Sequence, residues 1–155
     1  MTKKTLEFTV DIDAPRAAVW DAMLGPATYR EWTEPFCERS YFEGSWEKGQ
    51  KIRFLTPDGD GMTAEIVENR PREFVSVRHL GEIAGGVEDL SSEKVRAWAP
   101  AYENFRLADL PSGGTRVHVS VDTTPQYLEF MQQTYPKALQ ALKTLCERDR
   151  AVFTG

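Results

Sequence analysis

The sequence predicts an α+β fold in which a curved antiparallel β-sheet wraps around one long C-terminal helix. Three observations predict this fold: an alternating segment at residues 6–12, six strand-like segments in a row from residue 40, and a final segment of helical period from Leu128. The final helix is the only large cover that the sequence offers for the apolar face of so many strands. Because the sequence shows no linker and no internal repeat, we expect residues 1–155 to form a single domain.

One strand and two short helices are predicted from the first 32 residues. Apolar and polar residues alternate through residues 6–12, which is typical of a strand with one buried face. Pro15 then fits the first position of a helix, and Asp13 complements the positive end of the helix dipole. Residues 25–26 end that helix, and residues 27–32 favour a second short one.

Six strands and the long helix follow. Turns rich in glycine, proline and aspartate separate strand-like segments at residues 40–46, 50–56, 62–69, 74–80, 101–107 and 115–123. The apolar period then changes to steps of three and four residues, which predicts a helix of about six turns. Its apolar stripe consists of Leu128, Met131, Tyr135, Leu139, Leu142, Leu145 and Cys146. We expect Pro136 to kink this helix because proline lacks a backbone N–H.

Composition and charge exclude several classes of function. Acidic residues outnumber basic ones by 24 to 19, so the chain lacks the basic surface that nucleic-acid binding needs. No apolar run reaches the ~20 residues that cross a bilayer, and residues 1–4 lead into a strand rather than a signal-peptide core. We therefore expect a cytoplasmic protein without membrane insertion. Two cysteines and two histidines without paired spacing are a poor metal-ligand set, and no nucleotide, serine-hydrolase or zinc-protease motif predicts a cofactor.

The geometry of this fold predicts a ligand cavity. A strongly curved sheet around one helix leaves a gap wherever the curvature exceeds the length of the side chains. Residues 81–100 form a connection longer than a hairpin loop, and connections of that length often act as lids. We interpret them as a lid over the cavity mouth, with a short helix at residues 92–98 capped by Ser91 or Ser92. An insertion packed on the surface is the alternative.

Two polar residues are candidates for the cavity wall. His79 falls on the same face of its strand as Val77, and Glu103 shares a face with Phe105. Convergent polar groups of this kind orient a ligand or perform general acid–base chemistry. Wetting by solvent at a strand end, or pairing with an arginine such as Arg53, is the alternative. We assign no catalytic residue.

Aromatic and apolar residues complete the predicted binding site. We place Tyr29, Trp32 and Trp98 in irregular segments at the cavity mouth, and the apolar stripe of the long helix at its floor. The alternative is that such residues are plain core, which we favour for Trp20 and Trp46. The predicted ligand-binding residues are Tyr29, Trp32, Phe54, His79, Trp98, Glu103, Phe105, Met131, Tyr135 and Leu139.

Several short motifs occur in the order in which a known family has them. They are Ile12-Asp13-Ala14-Pro15 with Val19-Trp20, then Trp32, Gly44-Ser45-Trp46-Glu47-Lys48-Gly49, Glu65-Ile66-Val67-Glu68 before Pro71, and Gly113-Gly114-Thr115-Arg116-Val117. With them, nearly the whole chain resembles the SRPBCC, or START-like, helix-grip superfamily. It is more closely similar to bacterial homologues of the activator of the heat-shock protein 90 ATPase. The resemblance implies a helix-grip fold and a function among lipid and hormone carriers, cyclases, dioxygenase subunits and co-chaperones.

These observations favour a non-enzymatic carrier or sensor of a small hydrophobic molecule. A cyclase- or hydratase-type enzyme that uses His79 and Glu103 is one alternative. A co-chaperone that binds and stimulates a heat-shock protein 90 ATPase is the alternative that the resemblance implies. Besides a ligand or a chaperone, the expected partner is a second copy of the chain, bound through the lid or an exposed sheet edge.

Overall fold

The computed structural model describes the backbone of residues 3–154 and the side chains of residues 3–148. Its elements are β1 Lys4–Ile12, α1 Arg16–Leu24, α2 Pro26–Trp32, β2 Tyr41–Gly44, β3 Lys51–Leu55, β4 Gly61–Arg70, β5 Phe74–Ala84, β6 Val87–Asp89, α3 Glu93–Arg96, β7 Ala101–Asp109, β8 Thr115–Thr123 and α4 Leu128–Thr154. The strands pair antiparallel in the order β1-β8-β7-β5-β4-β3-β2, and β6 pairs with β5. This curved sheet with a long C-terminal helix confirms the predicted fold class.

Bulges help the sheet to curve around α4. In the ladder between β4 and β5, the register shifts between Thr63 and Ala64 and again between Ile66 and Glu68. A bulge adds one residue to one strand of a pair, which bends that strand and increases its twist. The concave face that results receives α4, which also contacts β1, α1 and α2.

The core lies between the sheet, α1 and the second half of α4. Leu142 and Leu145 are almost completely buried there, together with Val117 and Val119 of β8. The alternation of β8 is the one that the sequence predicts, and the strand has the predicted bounds, Thr115–Thr123. Pro136 lies inside α4, which continues beyond it. None of the described helices is long and apolar enough to cross a membrane.

Residues 81–100 differ most from the prediction. Instead of one long connection, β5 runs past Leu80 to Ala84 and forms a hairpin with β6, and α3 follows. The two glycines of the hairpin turn, Gly85 and Gly86, have φ angles of 55° and 83°, a conformation that glycine adopts without steric cost. The segment is therefore an arm of the sheet followed by one helical turn.

Gly81 explains why the strand was predicted too short. A glycine after Leu80 suggests the end of a strand, but Gly81 lies inside β5. The residue is a glycine because β6 passes too close to leave room for a side chain. A Cβ atom at Gly81 would lie 2.2 Å from the carbonyl oxygen of Asp89. The helix that follows is shorter than the predicted one, and the Ser92 side chain caps it by accepting a hydrogen bond from the N–H of Val95 at 3.2 Å.

The first helix also begins one residue later than predicted. Pro15 is the N-cap residue of α1 rather than its first helical residue, and its ψ angle of 158° is extended. The second helix begins at Pro26, which holds the first-turn position that suits proline.

Candidate functional site

A cavity of about 510 Å³ lies between the concave face of the sheet, α2 and the first half of α4. Its volume is within the range of about 300–1,000 Å³ that is usual for small-molecule sites. Its wall is mainly apolar, with a few polar groups deep inside and several charged groups toward solvent. The gap that the curvature of the sheet predicts is therefore present.

Nine of the ten predicted site residues lie on the wall of this cavity. They are Tyr29, Trp32, Phe54, His79, Trp98, Glu103, Phe105, Met131 and Tyr135. Leu139 does not reach the wall, contrary to the prediction that it forms part of the floor. It lies one helical turn beyond Tyr135, where α4 enters the packed core, and only 2% of its surface is exposed.

Glu103 is held at the cavity wall by partners from the sheet and from α4. Because β5 and β7 are paired with Val77 opposite Glu103, the side chains of His79 and Glu103 lie on the same face of neighbouring strands. The Nε2 atom of His79 lies 3.0 Å from Oε1 of Glu103. The hydroxyl of Tyr135 donates a hydrogen bond to Oε2 of the same carboxylate. Each carboxylate oxygen thus has one hydrogen-bond partner within the protein.

Arg53, the arginine considered as an alternative partner for His79 or Glu103, binds a different carboxylate. Its Nε atom donates to Oε1 of Glu88 at 2.9 Å, and Lys51 binds the same carboxylate. His79 and Glu103 therefore pair with each other, and Glu103 also pairs with Tyr135 of α4, rather than with Arg53.

The polar partners set the charge state of Glu103. Burial by itself raises the pKa of Glu103, but the hydrogen bond and electrostatic interaction with His79, together with the hydrogen bond from Tyr135, leave this pKa below its ordinary value. Burial, followed by the negative charge of Glu103, raises the pKa of Tyr135 well above its ordinary value. The carboxylate is thus ionised near neutral pH, and the phenol keeps the proton that it donates.

An aromatic cluster forms the other side of the cavity. The ring of Tyr29 lies 5.8 Å from Trp32, 5.2 Å from Phe42, 6.4 Å from Trp46 and 6.1 Å from Phe54, measured between ring centroids. These separations are in the range for favourable edge-to-face and tilted aromatic pairs. The four neighbours fix the orientation of the Tyr29 ring.

Three aromatic residues differ from their predicted environments. Tyr29 and Trp32 lie in α2, which agrees with the short helix predicted at residues 27–32 and not with the irregular segment in which the site prediction placed them. Trp32 is buried rather than at the mouth, with its Nε1 atom donating to the carbonyl of Met23 at 3.1 Å. Trp46, which we favoured as plain core, is on the cavity wall, and its indole N–H is buried without a hydrogen-bond partner among the described residues.

The hairpin arm and α3 supply one side of the cavity wall. Trp98 donates from Nε1 to Oε1 of Glu82 at 3.3 Å, and Lys94 lies 3.1 Å from Oε2 of the same carboxylate. Val87 and Leu90, further along the arm, are 70% and 51% exposed. The arm is therefore fixed to the wall at Glu82, and its role as a lid stays a prediction.

Two mouth residues were missed by the sequence analysis. Tyr127 and Phe130 lie at the start of α4 and line the cavity, although they are 50% and 46% exposed. Phe130 also packs edge-on against Phe36, with ring centroids 6.4 Å apart. Neither residue belongs to the apolar stripe of α4, so the period of that stripe does not predict that they line the cavity. The contact of Phe130 with Phe36, which follows α2, depends on the tertiary fold.

The sequence matches no family model, and no curated protein matches it significantly. Solved structures do resemble it. Protein MLL2253 from Mesorhizobium loti superposes with a TM-score of 0.72 at 16% identity, over 94% of this chain and 98% of that one. The Aha1 dimer from Colwellia psychrerythraea gives a TM-score of 0.71 at 16% identity, over 93% and 96% of the two chains.

A third similar structure is DynU16, described as a putative protein in the dynemicin biosynthetic locus. Its TM-score is 0.68 at 18% identity, over 92% of this chain but 47% of DynU16. At these identities the likeness concerns the fold. The chain shares the helix-grip architecture of these structures, which is the fold that the resemblance of its motifs implies.

Proposed function

We propose that the protein binds a small hydrophobic molecule in the cavity between the sheet and α4 and acts as its carrier or sensor. The observation that carries this proposal is the cavity itself, about 510 Å³ in volume, at the place where the fold predicts a gap. Transfer of apolar ligand surface from water supplies about 25 cal/mol per Å². An apolar wall with a few oriented polar groups is the usual composition of such a site.

The state of Glu103 favours binding over catalysis. A general base is most effective when its pKa lies near the operating pH. The pKa of Glu103 is lowered rather than raised toward neutrality, because the hydrogen bonds from His79 and Tyr135 outweigh the effect of burial. The Glu103 carboxylate is therefore suited to act as a fixed polar group that orients a ligand.

The first test asks whether the cavity is occupied. The protein is purified from cells without a denaturing step and measured by native mass spectrometry, in which we expect a bound small molecule as added mass. Met131→Trp fills the cavity from α4, and Gln132→Trp adds the same side chain at the neighbouring exposed position. We expect Met131→Trp to lose the added mass and Gln132→Trp to keep it. The same low occupancy in the wild type and both variants, with no thermal shift from lipids or aromatic metabolites, would contradict the proposal.

A cyclase- or hydratase-type enzyme is the second candidate, and the His79–Glu103 pair inside the cavity supports it. It requires that His79→Ala and Glu103→Ala bind the ligand with unchanged affinity and lose its turnover. Conversion of the ligand identified by mass spectrometry is followed by chromatography. Unchanged ligand after long incubation with the wild type favours the carrier.

A co-chaperone role is a third candidate, which rests on the motif resemblance and on the likeness in fold to Aha1. If the chain has this role, adding it to a heat-shock protein 90 homologue raises the ATPase rate, and the two proteins co-elute in gel filtration. The Aha1 structure is described as a dimer. Light scattering on the present chain tests whether it, too, associates with a second copy.

A further inference from the structure

The charged groups deep in the cavity restrict the class of ligand, because they already pair with each other. Glu103 accepts from His79 and Tyr135. Toward solvent, Glu82 accepts from Lys94 and Trp98, whereas Asp60, Asp122 and Lys3 have neutral hydrogen-bond partners. A charged ligand that enters the interior beside Glu103 would lose its hydration without gaining an unpaired counter-charge there, which is costly. The interior of the cavity therefore favours an uncharged ligand.

The aromatic content of the wall indicates the shape of the ligand. About a third of the residues around the cavity are aromatic, although aromatic residues make up 11% of the chain. Two aromatic rings in offset-stacked or edge-to-face contact gain stability beyond what the burial of their surface supplies. A flat ring system presents a face and an edge to such a wall, whereas a flexible alkyl chain presents neither and loses more conformational freedom on binding.

The hydroxyl of Tyr29 differs from the charged groups because the protein leaves it unengaged. It takes part in none of the side-chain hydrogen bonds among residues 3–148, and it is not one of the enclosed polar atoms there that lack a partner. Since the residue lies on the cavity wall, its hydroxyl is accessible from the cavity. The surrounding aromatic rings hold the phenol in place, so a ligand that accepts its hydrogen bond incurs little ordering cost.

We propose that the cavity takes an uncharged, flat, multi-ring aromatic molecule with an oxygen substituent, and that Tyr29 selects for this oxygen through a hydrogen bond. This inference rests on the proposed binding function and gives its ligand class. Tyr29 is thereby a specificity-determining residue, and the Glu103 cluster sets the polar end of the cavity.

The test uses two probes of the same shape, 9-fluorenone and fluorene, which differ by one carbonyl oxygen. Affinities are measured by isothermal titration calorimetry with the protein in the syringe, because both probes are sparingly soluble. We expect wild-type protein to bind fluorenone more tightly than fluorene. Tyr29→Phe should weaken fluorenone binding by about 3- to 10-fold, the usual effect of one neutral hydrogen bond, and leave fluorene binding unchanged. The control Tyr41→Phe removes a hydroxyl from β2, outside the cavity, and should change neither affinity.

Two further probes separate the inference from the function on which it rests. Fluorenone-2-carboxylate tests charge and 1-dodecanol tests shape, and we expect both to bind more weakly than fluorenone. If dodecanol or the carboxylate binds more tightly than fluorenone, the ligand class is wrong while the binding function stands. Failure of all four probes to bind the wild type would overturn the ligand class, and the mass-spectrometry experiment then decides on the binding function separately. An equal loss of fluorene and fluorenone affinity in Tyr29→Phe would show that Tyr29 shapes the cavity without selecting the oxygen.

Discussion

The hydrogen bond from Tyr135 to Glu103 connects α4 to β7, and its removal gives a quantitative test of the site. Tyr135→Phe deletes the hydroxyl and keeps the ring, which stacks on Phe8 at 5.0 Å and meets Phe36 edge-on at 5.0 Å. Tyr135 is 1% exposed, so no bulk water reaches the vacated position from the helix side. A hydrogen bond to a charged group contributes about 1.5–3 kcal/mol. We expect Tyr135→Phe to lower the free energy of unfolding by that amount.

Urea denaturation followed by circular dichroism measures this loss, with Tyr127→Phe as the matched control. Tyr127 directly precedes α4 and is half exposed, so its hydroxyl should contribute less than about 0.5 kcal/mol to the free energy of unfolding. A double-mutant cycle with Glu103→Gln isolates the pair, and we expect a coupling energy of about 1 kcal/mol or more. A loss below about 0.5 kcal/mol in Tyr135→Phe, without coupling to Glu103, would refute the interpretation that this bond joins the helix to the sheet.

Two further predictions concern pH and the hairpin arm. The pKa of Glu103 is lower in the folded protein than its ordinary value of 4.5, so its stabilising contribution is present above that value and is lost as the pH falls through the folded pKa. Urea titrations from about pH 6 to pH 3 should show that wild type loses stability relative to Glu103→Gln as the pH falls below 4.5, and a constant difference would contradict the assigned charge state. Gly81→Ala places a Cβ 2.2 Å from the carbonyl oxygen of Asp89 and should separate β5 from β6. We expect faster amide hydrogen exchange in residues 82–89, whereas Ala84→Gly, at an exposed position of the same strand, should leave residues 87–89 protected.

The elements with a clear period could be predicted from the sequence, and the short ones could not. Alternation located β1 and β8, and the three- and four-residue steps located α4, because burial of one face imposes these periods. β6 and α3 span three and four residues, too few to show a period. Pairing with β5 defines β6, and this pairing depends on contacts that are distant from any local signal.

The site residues on strands could be predicted, because alternate side chains of a strand point to opposite faces of the sheet. His79 and Glu103 reach the cavity because each stands two positions from a buried neighbour on its strand, as the sequence suggested. The hydroxyl of Tyr135 could not be assigned a partner, because a tyrosine in an apolar stripe shows its ring and not its polar contact. The apolar period also placed Leu139 with Tyr135 on the cavity floor, because a period does not show where along the helix the cavity ends.

The first half of α4 lines the cavity and the second half lies in the packed core, so the two halves are under different constraints. Under the proposed function, substitutions near Met131 should change which ligand fits, whereas substitutions near Leu142 should lower the stability of the fold. One ligand could then replace another through small changes in the first half of the helix, while the second half preserves the architecture. Divergent sequences of this shape are then expected to keep the second half of the helix apolar and to vary most around the opening.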